Sequence, residues 1–383
     1  MDKDKIKEIA QAQVKNQKWN AFMQQISDAA VRTGKIAHAT FELTALCTLQ
    51  CKMCYVRLDK ETADKIGPMR TAKEWIDMAR QFRDSGGLTI LLTGGEAMMR
   101  PDFLEIYEEI SKMGLFVTVF TNGTTITDEV IEMFRKRPPA LIGLTLYGAS
   151  EETYQRTTGV KGFENAVKGM DRLLTIPNLH IDVRFTACTL NYMDYEKVQE
   201  LVEARGLVLS YDVADMASVR GAVSEGRALR LNLEQREQIR KHLQKVSAPI
   251  LDAMHKEMER MPKKELPNTS YLTPIEVKKN KKVEDPLEER RLHCRAAAFG
   301  VYIAYDGRMY PCDTFSEPYF TEPFKEGFVS AYQRLQEIAR EILVPESCMK
   351  CKNIDVCGPC AARLIAEKEA CAREGVACSF DPI

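Results

Sequence analysis

The sequence predicts an α/β fold: an incomplete barrel of six strand–helix units followed by a small cysteine-rich domain. Three observations carry this. Six short β-rich runs, beginning near residues 39, 88, 116, 141, 180 and 208, alternate with amphipathic segments, the pattern of a parallel sheet with helical crossovers. The 12 cysteines are unevenly placed, with Cys47, Cys51 and Cys54 in one group, eight from Cys294 onward, and Cys188 on its own. A length of 383 residues exceeds what one compact core usually carries, so more than one domain is expected. The expected divisions are a helical extension over 1–38, the barrel over 39–231, a helix and charged linker over 232–291, and the cysteine-rich domain over 292–383.

Residues 1–33 lack Gly and Pro, and Ile6, Ile9, Val14, Trp19, Phe22, Met23 and Ile26 recur at helical spacing, which predicts an amphipathic helix. The strand runs ATFELTAL, LTILLT, FVTVFTNG, LIGLTLYG, HIDVRFTAC and VLSYDVAD follow. Between them, Thr71 with Glu74 suggests a capping box, Pro101 opens the helix DFLEIYEEI, and Gly114 closes it. Right-handed crossovers then give a parallel sheet, and six units suit a partial, TIM-like (β/α)6 barrel better than a closed eightfold one. Function is expected at the C-terminal ends of the strands. Residues 232–261 read as one long helix, and the polar stretch to Arg291, with KKNKK and EDPLEERR, as a solvated linker or a lid. Helices are expected over 328–343 and 361–374, and no period of a solenoid or propeller is present.

Apolar residues at 45% and charged residues at 28% exclude wholesale disorder. Lys plus Arg number 54 against 55 for Asp plus Glu, a net charge of -1, so the chain offers no overall field for nucleic acid or an anionic membrane, and neither is expected as a partner. The N-terminus MDKDKIKEIA carries charges where a signal peptide needs an apolar run, and no 18 apolar residues occur together. A cytoplasmic protein is expected. In that reducing compartment clustered thiols read as metal ligands or catalysts rather than disulfides.

FELTALCTLQCKMCY places three thiols at C-x3-C-x2-C directly after the first strand, where one loop can present three sulfurs to three irons of a cubane and leave the fourth iron open. Three-thiolate zinc and plain buried cysteines are the alternatives. Zinc sites usually close with a fourth ligand, and no His or Cys occurs in the 30 residues after Cys54. The spacing resembles the signature of the radical S-adenosylmethionine (SAM) superfamily, in which the amino and carboxylate groups of SAM take the open iron. That resemblance implies that Gly94, Gly95 and Glu96 of LLTGGEAMMR hold the methionine end, with Glu96 accepting from the ammonium, and that Tyr55 lies beside the adenine. It also makes Asn122 in FTNGTT, and Thr145 and Arg156 in LTLYGASEETYQRTTG, candidate contacts to the ribose and carboxylate.

Toward the C-terminus, Cys294 is followed by Gly307-x4-Cys312, then Cys348-x2-Cys351-x5-Cys357-x2-Cys360, and finally Cys378. This order resembles the SPASM extension of radical SAM enzymes, so the resemblance spans 39–383 and implies two auxiliary 4Fe-4S clusters, three clusters in all. By the family pattern Cys294, Cys312 and Cys360 hold one, and Cys348, Cys351, Cys357 and Cys378 the other. CGPC has two residues where the family usually has three, which leaves the place of Cys360 open; Cys371 and His293 are further possible ligands. Paired zinc sites are the alternative for these thiols, and a thioredoxin-like motif lacks the preceding βαβ context.

The resemblance implies an oxidoreductase in which an electron from a flavodoxin or ferredoxin type donor cleaves SAM to a 5′-deoxyadenosyl radical that abstracts hydrogen. SPASM enzymes resemble one another in maturing peptides, so a peptide or small protein substrate, oxidised or crosslinked, is the first expectation. Dehydrogenation of a small alcohol or sugar is the alternative, and a non-catalytic metal-binding protein the third. Asp313, in MYPCDTF, resembles the carboxylate proposed as a base in anaerobic sulfatase maturases; a loop cap is the simpler role. Anaerobically reconstituted protein is expected to hold about twelve irons, and replacing Cys47, Cys51 and Cys54 by Ala to remove about a third of them with loss of SAM cleavage. Iron analysis and deoxyadenosine release check both, and surviving cleavage would refute the assignment.

Overall fold

The computed structural model describes residues 3–214, 216–222, 224–259, 296–344 and 360–375. After helix α1 (Lys3–Thr33), strand β1 (His38–Glu42) leads through α2 (Lys60–Ile66) and α3 (Ala72–Asp84) to β2 (Thr89–Thr93). Then α4 (Phe103–Ser111), β3 (Phe116–Thr121), α5 (Asp128–Lys136), β4 (Leu141–Thr145), α6 (Glu151–Thr158), α7 (Phe163–Leu173), β5 (Ile181–Ala187), α8 (Tyr195–Glu203) and β6 (Val208–Val213) follow. All six strands start within one residue of where the apolar runs place them. The chain continues as α9 (Leu233–Glu259), β7 (Gly300–Ile303), β8 (Met309–Tyr310), α10 (Pro323–Glu326), α11 (Phe328–Glu341) and α12 (Ala361–Glu374).

The sheet has eight strands in the order β6-β5-β4-β3-β2-β1-β7-β8. Parallel pairing joins the first six strands through all five of their sequential pairs. The sequence reading counted six strands; β7 adds itself parallel to β1, with Ala39 opposite Val301, and β8 pairs antiparallel with β7. The cysteine-rich region thus begins inside the barrel sheet. Residues 260–295, on which the linker or lid reading falls, lie outside the described residues.

Helices cover the outer face of the sheet and supply the core. Thr71 and Glu74 close the expected capping box, fixing where α3 starts. Its apolar stripe buries Trp75, Met78, Ala79 and Phe82, with Trp75 on Phe41 of β1 at 4.9 Å between centroids and Phe82 on Phe328 of α11 at 5.5 Å. Tyr107, Phe134 and Phe185 complete a fully buried aromatic layer; each such ring removes about 150–250 Å² from water.

Helix α1 closes the other end of the barrel. Phe22 meets Phe116, the first residue of β3, at 5.1 Å, and Trp19 meets His180, just before β5, at 6.5 Å. Val14 packs with Met254 of α9, and Asn20 reaches a cavity inside the barrel. No helix among the described residues is long and apolar enough to cross a membrane. Removing residues 1–33 would open this floor, uncovering the buried His180 and the part of Phe116 that α1 still covers. Insoluble or iron-poor protein is the expected outcome by solubility and iron analysis; a soluble, fully loaded truncation would show that α1 does not support the barrel.

Candidate functional site

The loop after β1 carries Cys47, Cys51 and Cys54 to the C-terminal mouth of the barrel and is tied down from both sides. Gln50 and Lys52 donate backbone N–H groups to Thr158 and Thr157 at the end of α6, at 2.8 and 3.1 Å. On the other side the Gly94-Gly95 turn after β2 lies against it: Gly95 N donates to Thr44 O at 2.8 Å and Glu96 N to Leu46 O at 2.9 Å. A Cβ on Gly94 would fall 2.4 Å from Thr44 O, and one on Gly95 2.2 Å from Leu46 O and 2.9 Å from Cys47 Cβ. Only glycine fits this approach. Three N–H groups point at sulfur: Leu49 N to Cys47 Sγ at 3.4 Å, Arg57 N to Cys54 Sγ at 3.3 Å, and Asn122 Nδ2 to Cys47 Sγ at 3.5 Å.

All three cysteines line one cavity of about 650 Å³ that runs along the inner ends of β2 to β6. Burial pushes the Cys47 thiol up to about 11 and raises Cys51 and Cys54 as well, so thiolates here need positive charge brought by a ligand. Among the described residues no three His, Cys, Asp or Glu side chains converge on a single metal ion; tetrahedral zinc would need sulfurs about 3.8 Å apart, from Zn–S bonds of about 2.3 Å. Three thiols around one cavity, each with an N–H directed at it or its loop held by backbone bonds, suit a polynuclear cluster, whose ligand sulfurs sit on separate irons.

Tyr55, Gly94, Gly95, Asn122 and Thr145 also line this cavity. Glu96 does not. It is fully buried behind the turn, where its carboxylate accepts from Thr121 Oγ1 at 3.0 Å, Asn122 N at 2.8 Å and Met98 N at 3.3 Å. Burial raises its pKa, and the Asn122 and Met98 N–H bonds oppose that. In this structure Glu96 ties the β2 turn to the β3 turn. Asn122 likewise spends Nδ2 on Thr48 Oγ1 at 2.9 Å and Oδ1 on Thr124. Arg156 lies outside the cavity, its Nε donating to Leu190 O at 3.0 Å and Nη2 to Thr153 Oγ1 at 3.3 Å.

A second cavity, of about 520 Å³, shares Tyr55, Thr93, Gly94 and Phe120 with the first and reaches Cys312, Asp313 and Cys360. Tyr55 Oη donates to Asp313 Oδ2 at 2.5 Å across 258 residues of sequence. Burial, then the Asp313 charge, push the phenol well above its ordinary value, so it stays protonated. Arg220 holds the same loop through Asp313 O and, at 2.9 Å, Phe315 O, with its guanidinium 4.7 Å over Tyr302. Cys371 sits elsewhere, buried with Arg227 Nη2 at 3.3 Å from its sulfur. Cys294, Cys348, Cys351, Cys357, Cys378 and His293 lie outside the described residues. Sequence reasoning missed Tyr147, Asp182 and Arg184, which line the first cavity; the inward period of β5, at 182, 184 and 186, was the available signal.

Residues 41–209 match the radical SAM superfamily. The AdoMet-dependent heme synthase of Methanosarcina barkeri is 26% identical over 359 residues, covering 89% of this chain and 96% of that one. The antilisterial bacteriocin subtilosin biosynthesis protein AlbA of Bacillus subtilis is 29% identical over 181 residues, 46% of this chain and 39% of AlbA, so that match spans well under half of AlbA's length. Streptococcus suis SuiB, solved with its precursor peptide SuiA, has the same fold at a TM-score of 0.62 and 15% identity, over 89% of this chain and 76% of SuiB. Over residues 41–209, then, the barrel is a radical SAM domain, the domain of a superfamily of iron–sulfur enzymes.

Because Glu96 satisfies three buried donors, Glu96→Ala is expected to destabilise the fold by about 1–3 kcal/mol, read by urea unfolding. Unchanged stability with weakened SAM binding would instead return Glu96 to direct ligand contact.

Proposed function

We propose that this enzyme oxidises a peptide or small protein substrate at a carbon positioned where the two cavities meet. The observation that carries this reading is their shared wall: one cavity holds Cys47, Cys51 and Cys54, the other Cys312, Cys360 and Asp313, and Tyr55 borders both. Cys47, Cys51 and Cys54 would hold the SAM-binding 4Fe-4S cluster, and Cys312 and Cys360, with Cys294, an auxiliary one; Cys348, Cys351, Cys357 and Cys378 would hold a third. When bound, SAM and these clusters supply a 5′-deoxyadenosyl radical and an electron acceptor. Gly94, Gly95, Asn122 and Thr145 shape the SAM side, and the aromatic and aliphatic walls exclude water.

Loss of a hydrogen atom and then of one electron leaves the substrate one proton in excess. Asp313 would take it on Oδ1, which accepts only a long 3.3 Å bond from Thr314 Oγ1, since Oδ2 is oriented by the Tyr55 phenol. A flavodoxin or ferredoxin type donor would supply the reducing electron, in an anaerobic, reducing cytoplasm that suits 12 cysteines. SuiB, which binds a precursor peptide, and AlbA, which takes part in bacteriocin biosynthesis, support a peptide substrate. One observation favours a second reading: the heme synthase match runs nearly end to end, which supports a porphyrin side chain as the group oxidised.

Asp313→Asn keeps shape while removing basicity. Full iron content and continued deoxyadenosine formation are expected, with product down at least about a hundredfold; loss of iron would make Asp313 a support of the cysteine loop instead. Anaerobic incubation with SAM, reductant and either a precursor peptide or an iron porphyrin, followed by mass spectrometry, decides the substrate. Heme formed from the porphyrin would select the second reading.

A further inference from the structure

On the wall of the larger cavity, β5 carries an arginine that no part of the reaction described so far uses. Arg184 points into the barrel between Thr145 of β4 and Ser210 of β6, its register partners. Its side chain is 40% exposed although β5 is an inner strand with helices outside it, so that exposure is to the cavity, which Arg184 lines together with the three cysteines. Two contacts fix its direction. Nε donates to Asp182 Oδ2 at 3.0 Å, and Asp182 is in turn held by Ser210 Oγ at 2.5 Å. Arg184 Cζ lies 4.1 Å from the centroid of the Phe120 ring, and Gly143 leaves room for that ring, which a Cβ there would approach to 2.6 Å.

A guanidinium has five N–H donors. One is spent on Asp182, and no acceptor meets Nη1 or Nη2 among the described residues, so four donors are left for a ligand. A purely structural ion pair would turn the fork toward Asp182. Here Asp182 takes only the Nε edge and leaves free the fork geometry that matches a carboxylate with two parallel bonds.

We propose that Arg184 is the receptor for a carboxylate of the substrate, held by Asp182 and Phe120 so that its two Nη groups present a fixed fork to the cavity. The inference rests on reading the cavity as the substrate site. It makes the enzyme selective for an acidic group near the carbon that reacts, whether a peptide carboxylate or a carboxylated porphyrin side chain. The methionyl carboxylate of SAM shares this chemistry, so the test must separate the two.

The probes are N-acetylglutamic acid α-amide, whose side chain carries its one carboxylate, and its neutral counterpart N-acetylglutamine α-amide, titrated by ligand-observed NMR into holoenzyme saturated with SAM. Wild-type protein is expected to bind the acid at least about tenfold more tightly than the amide, a difference of about 1.4 kcal/mol. Arg184→Met is expected to abolish that preference while changing SAM affinity less than about twofold. Arg184→Lys, which keeps the charge and loses the fork, should retain a reduced preference, and it replaces the Met variant in the comparison if that variant fails to hold iron. A preference that survives Arg184→Met, or one lost instead on Arg57→Met, would overturn the assignment. So would a tenfold or greater loss of SAM affinity in Arg184→Met, which would give the fork to SAM. Wild-type protein that binds SAM but shows no preference defeats this inference alone, whereas failure to bind SAM defeats the reading of the site as well.

Discussion

The two ladders of β1 are the constraint on which the rest of the structure depends. On one side β2 fixes Thr93 beside Glu42, so the Gly94-Gly95 turn must meet the cysteine loop that leaves the same end of β1. On the other side β7 pairs with His38 to Phe41 and swings the segment carrying Cys312 and Asp313 over the barrel mouth. A strand with two parallel neighbours has every backbone donor and acceptor committed and both faces covered. The loops at its end therefore inherit a fixed origin, and the two cysteine regions face each other across Tyr55.

Buried charge then sets which arrangement of those loops is allowed. Glu42 at the end of β1 is fully buried, and burial raises its pKa while the charge of Arg220 opposes the shift. Arg220 also grips the Asp313 loop, so one cation serves both the barrel and the C-terminal segment. Glu367 of α12, 1% exposed, is clamped by Arg227 at 2.7 Å and Arg230 at 2.5 Å from the segment after β6. Removing one member of such a pair leaves an uncompensated buried charge and costs about 3–5 kcal/mol, whereas the pair as a whole contributes little net stability. These contacts join α12 and the Asp313 loop to the segment after β6.

Much of this was legible beforehand. The six strands of the barrel announce themselves because a parallel sheet buried on both faces needs short β-branched and apolar runs, and the Thr71 cap marks α3 because its side chain satisfies donors no other group can reach. The β7–β8 hairpin was not counted, although Asp306-Gly307 between VYIAY and RMY is a hairpin signal; four- and two-residue strands are too short to stand out against the surrounding cysteine spacing. The spacing of Cys47, Cys51 and Cys54 identified their common loop, since three residues so close in sequence must share a location.

What the sequence determined by itself was therefore local: element types and starts, the cysteine loop, and the glycines that let the β2 turn approach it. The direction of each long polar side chain was decided only by tertiary structure. Glu96 sits in the motif that suggests a ligand contact, yet three donors from neighbouring turns draw its carboxylate inward; Arg156 is drawn out of the cavity to Leu190 O. Tyr55 meets Asp313 only because β1 pairs with β7, and Arg184 faces the cavity only because β5 has its other face against helices. A side chain's identity is fixed by its codon, but the partner that satisfies its hydrogen bonds comes from whichever segment the fold brings within about 3 Å.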